Sequence, residues 1–187
     1  MCKNGKFQMK QMYLKLIPEY CRVEWKSLML HTNVHPRYRF TLWLAAQPRL
    51  ETVNRLLKFG IQVPAAHAFC GHSLESFNHL FFECSITKKL WSRLCVWMGH
   101  KRNIGGWDTK LEWVCKKAKS RKGINAITSC VFAIIVAMIW RERNRIRFDK
   151  GKYDENQICR EIVLHIHVRG KSNSKWKGLL QQLNWIP

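Results

Sequence analysis

Acidic residues are scarce. The 187-residue chain has 12 Asp and Glu against 33 Lys and Arg, a formal net charge of +21. Its aspartates are Asp108, Asp149 and Asp154, and no two are adjacent. A polymerase centre needs paired aspartates to hold two metal ions, so that chemistry is not expected. No carboxylate cluster suits metal-assisted phosphodiester hydrolysis. A Gly-x-x-x-x-Gly-Lys phosphate loop and a Gly-x-Ser-x-Gly elbow are also missing. His165 and His167 read as ordinary helix residues rather than partners of a cysteine nucleophile. The chain is therefore expected not to be an enzyme and to have no small-molecule substrate.

Long apolar runs are missing too. The longest, Ile127 to Trp140, covers about 14 residues and includes Thr128 and Ser129; a bilayer span needs ~20. Arg141, Arg143, Arg145 and Arg147 follow directly. A buried core helix continuing as a basic, exposed helix is expected, and no membrane association. No apolar stretch follows Lys3, Lys6 and Lys10, so no secretory signal is expected. An intracellular, reducing setting, nuclear or cytoplasmic, leaves the eight cysteines free, buried or metal-bound.

What is present is apolar and cationic. Hydrophobic residues make up 47% of the chain, with nine Trp, enough for a sizeable core. Compacting so much like charge costs self-repulsion unless an anion binds. Nucleic acid is the expected partner, ahead of an acidic protein, because the cations run along the whole chain among aromatics.

The pattern is helical. Helices are expected over Phe7 to Leu16, Val23 to Leu30, Arg37 to Gln47 and Leu50 to Phe59, the last with Thr52 as N-cap and Gly60 as stop. Arg37 to Gln47, with Phe40, Leu42, Trp43 and Leu44, reads as largely buried. Ser85 is expected to cap Ile86 to Met98, whose broad apolar face includes Val96. Asp108 is expected to cap a basic helix through Lys119, and the longest helix to run from Ile124 to about Lys150. Asp154 is expected to cap a helix with Ile158, Ile162, Leu164 and Ile166 inward. A terminal helix follows over Trp176 to Leu183.

The chemistry sits between His67 and Cys84. His67, Cys70, His79 and Cys84 are separated by two, eight and four residues. Zinc takes four nitrogen or sulfur donors in a tetrahedron. A two-residue gap lets one tight turn deliver both first ligands, and Gly71 suits a knuckle that needs positive φ. His79 and Cys84 are expected to meet across a short helical turn or a bent strand. His72 competes as a ligand. Phe69, Phe77, Phe81 and Phe82 are expected to pack round the site as core.

The run Arg39-Phe40-Thr41-Leu42-Trp43-Leu44-Ala45, then Arg49-Leu50-Glu51-Thr52 and Arg55-Leu56, resembles the zinc-binding domain that follows the reverse transcriptase in plant LINE-type (non-LTR) retrotransposons. Cys70, Glu75, the stretch His79-Leu80-Phe81-Phe82-Glu83-Cys84 and Trp91 match its signature. The family's first cysteine falls on His67. The resemblance is strong over residues 5–91 and looser at Ile139-Trp140-Arg141-Glu142-Arg143-Asn144. It implies a structural zinc site of His67, Cys70, His79 and Cys84, with zinc as the cofactor. It also implies a role on nucleic acid, such as element RNA during reverse transcription.

The basic residues expected to meet nucleic acid are Lys88, Lys89 and Arg93, then Lys116 and Lys117 beside Lys110, Lys119, Arg121 and Lys122, then Arg141, Arg143, Arg145 and Arg147. At about 100° per residue the last four wrap their helix rather than form one stripe. The expected fold is mainly α: a small helical zinc-binding domain over residues 5–99 with an embedded zinc knuckle, then a basic helical tail over residues 107–187. The alternatives are a structural or protein-interaction domain, or a decayed element fragment without selected activity.

Overall fold

The structure, a computed structural model, describes residues 2–3, 6–7, 9–17, 23–30, 34–101, 105–120 and 122–183. Pro18 and Arg121 lie outside them. Cys2–Lys3 (β1) pairs antiparallel with Lys6–Phe7 (β2), and the remaining regular structure is helical. The helices are α1 (Met9–Leu16), α2 (Lys26–Met29), α3 (Pro36–Ala46), α4 (Val53–Lys58), α5 (Ser85–Trp97), α6 (Trp107–Ala118), α7 (Gly123–Asp149), α8 (Glu155–Lys171) and α9 (Ser174–Gln182). A π-helical turn, His79–Glu83, precedes α5. The mainly α class is as expected.

Helix starts follow from the residues that satisfy free amides. Pro36 opens α3, and His35 Nδ1 accepts from the Arg37 amide at 3.2 Å. Asp154 Oδ1 accepts from the Gln157 amide at 3.0 Å, opening α8 as expected. Asn173 does the same for α9, accepting from the Lys175 amide at 3.1 Å. Two expected caps differ. Cys84, not Ser85, is the N-cap of α5, and Gly106, not Asp108, that of α6. Asp108 instead sits in the first turn of α6, where the helix dipole favours a carboxylate.

Helix α7 is the axis of the fold. It packs against α3, α5, α6, α8, α9 and the π-turn. It is long and apolar enough to cross a bilayer, yet 78% of its most apolar window is buried inside the protein. One cluster of buried side chains joins Leu42 of α3, Leu90 and Trp91 of α5, Val114 of α6, Phe132 and Ile135 of α7, Ile162 of α8 and Trp176 of α9. Residues 107–183 thus share a core with the residues before them.

Three apolar residues read as inward face out. Phe40 is 60% exposed, Val96 74% and Leu164 53%. Phe40 lies two residues from both Tyr38 and Leu42, the buried stripe of α3, and two residues turn a helix through about 200°. Leu164 stands in the same relation to Ile162 and Ile166. Lys110 is the opposite case. It is buried, with its ammonium donating to the Gly105 carbonyl and lying 4.8 Å from the centre of the Phe82 ring.

Candidate metal centre

His67 and Cys70 occupy one turn. The Gly71 amide donates to the His67 carbonyl at 2.9 Å, and Gly71 adopts φ +69°, a left-handed conformation that glycine takes without strain. The turn is closed at its base by the bridge between Ala66 and Leu74, and by the His67 amide donating to the Ser73 carbonyl at 2.8 Å.

His79 and Cys84 bracket the π-turn. The Cys84 amide donates to the His79 carbonyl at 3.0 Å, five residues back. In an α-helix five residues advance about 500°, leaving the two side chains about 140° apart. The wider i→i+5 turn rotates each residue less and brings them to the same side. Cys84 then starts α5.

The ligand atoms of His67, Cys70, His79 and Cys84 all lie within 4.8 Å of one another. Cys70 Sγ is 3.3 Å from His67 Nδ1 and 3.4 Å from His79 Nε2. Zinc bonds of ~2.3 Å to sulfur and ~2.0–2.1 Å to nitrogen put an S···N edge of a tetrahedron at about 3.6 Å. Donor set and spacing both fit zinc. His72 is exposed and outside this group.

The electrostatics suit a cation. Burial, then the neighbouring His79, pushes His67 down to about 4, so its ring is neutral and keeps a lone pair for metal. Burial raises the Cys70 thiol, but backbone hydrogen bonds at His72 and Ser73 and the His79 side chain bring it to about 7. Burial pushes Cys84 up, the expected cost of a sulfur enclosed without a counter-ion. Zinc binds the thiolate, so metal removes that cost.

The aromatic surroundings are core, as expected. Phe69 meets His67 edge-on at 5.3 Å between ring centres. Phe77, Phe81 and Phe82 surround Trp107 at 4.8, 5.2 and 5.9 Å, and Phe82 stacks on Phe132 of α7 at 5.8 Å. The metal turn is therefore seated on the central helix.

Glu75 is fully buried one residue past the base of the turn. Its Oε1 accepts from Arg143 Nε at 2.9 Å, from Arg143 Nη2 at 2.6 Å and from the Val53 amide at 3.2 Å. Arg147 lies 3.5 Å from Oε2. Burial alone would raise the Glu75 carboxyl, but the Arg143 hydrogen bond and charge hold it below its ordinary value. Arg143 Nη2 also donates to the Glu51 carbonyl at 3.1 Å, and Arg147 donates to the Pro64 and Ala66 carbonyls, each at 3.0 Å.

Arg143 and Arg147 are thus turned into the fold, while Arg141 and Arg145, with side chains 37% and 38% exposed, stay at its surface in ion pairs. Arg143 is 2% exposed. Arg141 pairs with Glu142 at 2.8 Å and Glu161 at 2.7 Å, and Arg145 with Glu142 at 2.6 Å. Arg93 reaches Glu155 at 3.1 Å. Lys88 is exposed, Lys89 is exposed with Glu155 at 3.5 Å, Lys116 pairs with Glu112, and Lys117 lies over Trp113 at 5.3 Å.

A cationic corner escaped the sequence reading. No acid occurs after Glu161, while Arg169, Lys171, Lys175 and Lys177 stand exposed where α8 turns into α9. Lys171 and Lys177 line a cleft of about 410 Å³ there. The 26-residue stretch without a carboxylate was the available signal.

Fold and site together define a helical protein carrying a His2Cys2 cluster suited to zinc. Residues 7–91 match the family described as zinc-binding in reverse transcriptase, which spans all four ligands. Neither the curated proteins nor the solved structures compared with the chain gave a match.

Proposed function

We propose that the chain is a non-catalytic zinc module of plant LINE-type retrotransposon origin that binds nucleic acid through phosphate contacts. The observation that carries this is the donor set. Four protein side chains bring their ligand atoms within 4.8 Å of one another, and a zinc held by four protein ligands would have no open position for water, as in structural sites. Zinc then stabilises a scaffold, and binding falls to the surface. Exposed Lys88, Lys89, Lys116, Lys171, Lys175 and Lys177 suit phosphate, and the family match to a reverse transcriptase accessory region supports nucleic acid over other anions.

The test is binding of single-stranded RNA and duplex DNA to the full chain at rising salt, beside a Lys171→Gln/Lys175→Gln/Lys177→Gln variant. The expected result is affinity that falls linearly in log–log form with salt, with a shallower slope in the variant. Absence of binding at about 50 mM salt refutes the proposal. One observation favours a second role in protein docking. Met9, Tyr13 and Leu16 of α1 are 76%, 65% and 71% exposed. A protein partner there would leave the salt slope on nucleic acid unchanged.

A further inference from the structure

We infer that Arg143 and Arg147 of α7 are positioning residues of the zinc site, holding the His67–Cys70 turn in its metal-binding shape. The two arginines grip both sides of the base of that turn. Arg147 takes the Pro64 and Ala66 carbonyls on the incoming side, at 3.0 Å each. Arg143 takes Glu75 on the outgoing side, at 2.6 and 2.9 Å. Between these anchors lie the Ala66–Leu74 bridge and the amide of Glu75, which donates to the Ala65 carbonyl at 3.2 Å.

Without these anchors, zinc would have to order residues 64–75 as it bound. That ordering costs conformational entropy for every residue fixed. With them, the turn is set before metal arrives, and the cost falls on the folding of α7. The guanidinium forks suit the task, because each engages two acceptors in fixed geometry. None of the four ligands lies on α7, so the metal centre depends on side chains of a helix remote in sequence: Arg143 stands 68 residues from Glu75.

The full chain is the material for the test. Wild type is compared with Arg147→Gln, with Glu75→Gln/Arg143→Met, which removes both charges of the buried pair, and with Leu180→Ala. The last is a core truncation in α9, away from the turn. Zinc affinity is read by competition with a chromophoric chelator. Site geometry is read from the visible absorption of the cobalt(II) form, and helix content by circular dichroism.

Arg147→Gln and the double variant are expected to keep wild-type helix content in excess zinc and to lose roughly 10–100-fold in zinc affinity, the usual range for supporting residues round a metal. Their cobalt bands should broaden, while Leu180→Ala should leave affinity and bands unchanged. If the double variant does not fold, Arg147→Gln decides, since it leaves the Glu75–Arg143 pair in place. Wild-type zinc affinity in folded Arg147→Gln overturns the inference, and so does an equal loss in Leu180→Ala. A wild-type chain that holds no zinc would instead sink the metal site itself.

Discussion

Replacing Arg143 by Met tests how the buried pair stores stability. The substitution keeps the aliphatic stem and removes the guanidinium, so Glu75 loses donors at 2.9 and 2.6 Å. It keeps the Val53 amide at 3.2 Å and the distant Arg147 at 3.5 Å. Glu75 is fully buried, so no water replaces what is lost. Breaking a buried pair from one side costs about 3–5 kcal/mol, because the remaining charge is left uncompensated. For a chain of this size, about 2–4 °C per kcal/mol converts that to a fall in Tm of roughly 6–20 °C.

The double variant Glu75→Gln/Arg143→Met should be milder than Arg143→Met alone. The neutral amide still accepts from Val53, and no charge remains buried. Two further signs follow. In wild type the Glu75 carboxyl is held low, so it contributes stability above its unfolded pKa of ~4.3 that is lost as pH falls through its folded value. In Arg143→Met burial wins and the folded pKa rises, so the penalty is present above that value and shrinks as pH falls. The assay is urea denaturation in excess zinc at pH 7.5 and 5.0. A cost below about 1 kcal/mol for Arg143→Met, or a double variant as unstable as the sum of the singles, refutes the reasoning.

Trp107→Ala should cost about 3–5 kcal/mol, since it empties a site ringed by Phe77, Phe81, Phe82 and Phe132; a loss under about 1 kcal/mol by urea denaturation would show that those rings close the gap. Asp154→Ala removes the acceptor for the Gln157 amide and should cost about 1 kcal/mol, seen as a small drop in Tm; an unchanged Tm contradicts a capping role. Burial lowers His100, His165 and His167. The unfolded chain then binds protons the folded one does not, so stability falls with pH below the unfolded value of ~6.5 and is flat above it. Stability that rises from pH 6.5 to 5.5, measured by urea midpoint, would contradict the sign.

The donor set was legible because metal chemistry restricts residue types and spacing together. His67, Cys70, His79 and Cys84 could be named without a structure, and Gly71 announced its own backbone angle. The π-turn was not legible, because nothing in His79-Leu80-Phe81-Phe82-Glu83 distinguishes an i→i+5 turn from an ordinary one. Only the demand that His79 and Cys84 share a side selects it. The arginines misled for a related reason. Arg141, Arg143, Arg145 and Arg147 wrap their helix, as the sequence indicates, but a basic run after an apolar one suggests an exposed helix end, and Arg143 and Arg147 are enclosed. In a helix surrounded by others, wrapping sends Arg143 and Arg147 to Glu75 and Arg141 to Glu161 of α8, while Arg145 stays on Glu142 of its own helix. The partners, Glu75 and Glu161, lie 68 and 20 residues away, and short-range pattern carries no record of them.

The few carboxylates are spent where they matter most to the fold. Glu75 and Glu142 are buried, and each pairs with two arginines. Glu155 and Glu161 tie α8 to α5 and α7. Arginine suits those internal roles, because its planar fork satisfies several acceptors at once and is weakly hydrated. Lysine is left for much of the outer face: Lys88, Lys89, Lys119, Lys122, Lys150, Lys152, Lys171, Lys175 and Lys177 are all exposed. A lysine ammonium is a hydrated point charge that meets phosphate without reading a base edge. Nucleic-acid binding of the kind proposed should therefore be steep in salt and indifferent to sequence. Competition between unrelated single-stranded RNAs of equal length should show affinities within about threefold of one another. A preference of tenfold or more, ~1.4 kcal/mol, would require base contacts that such a surface does not supply.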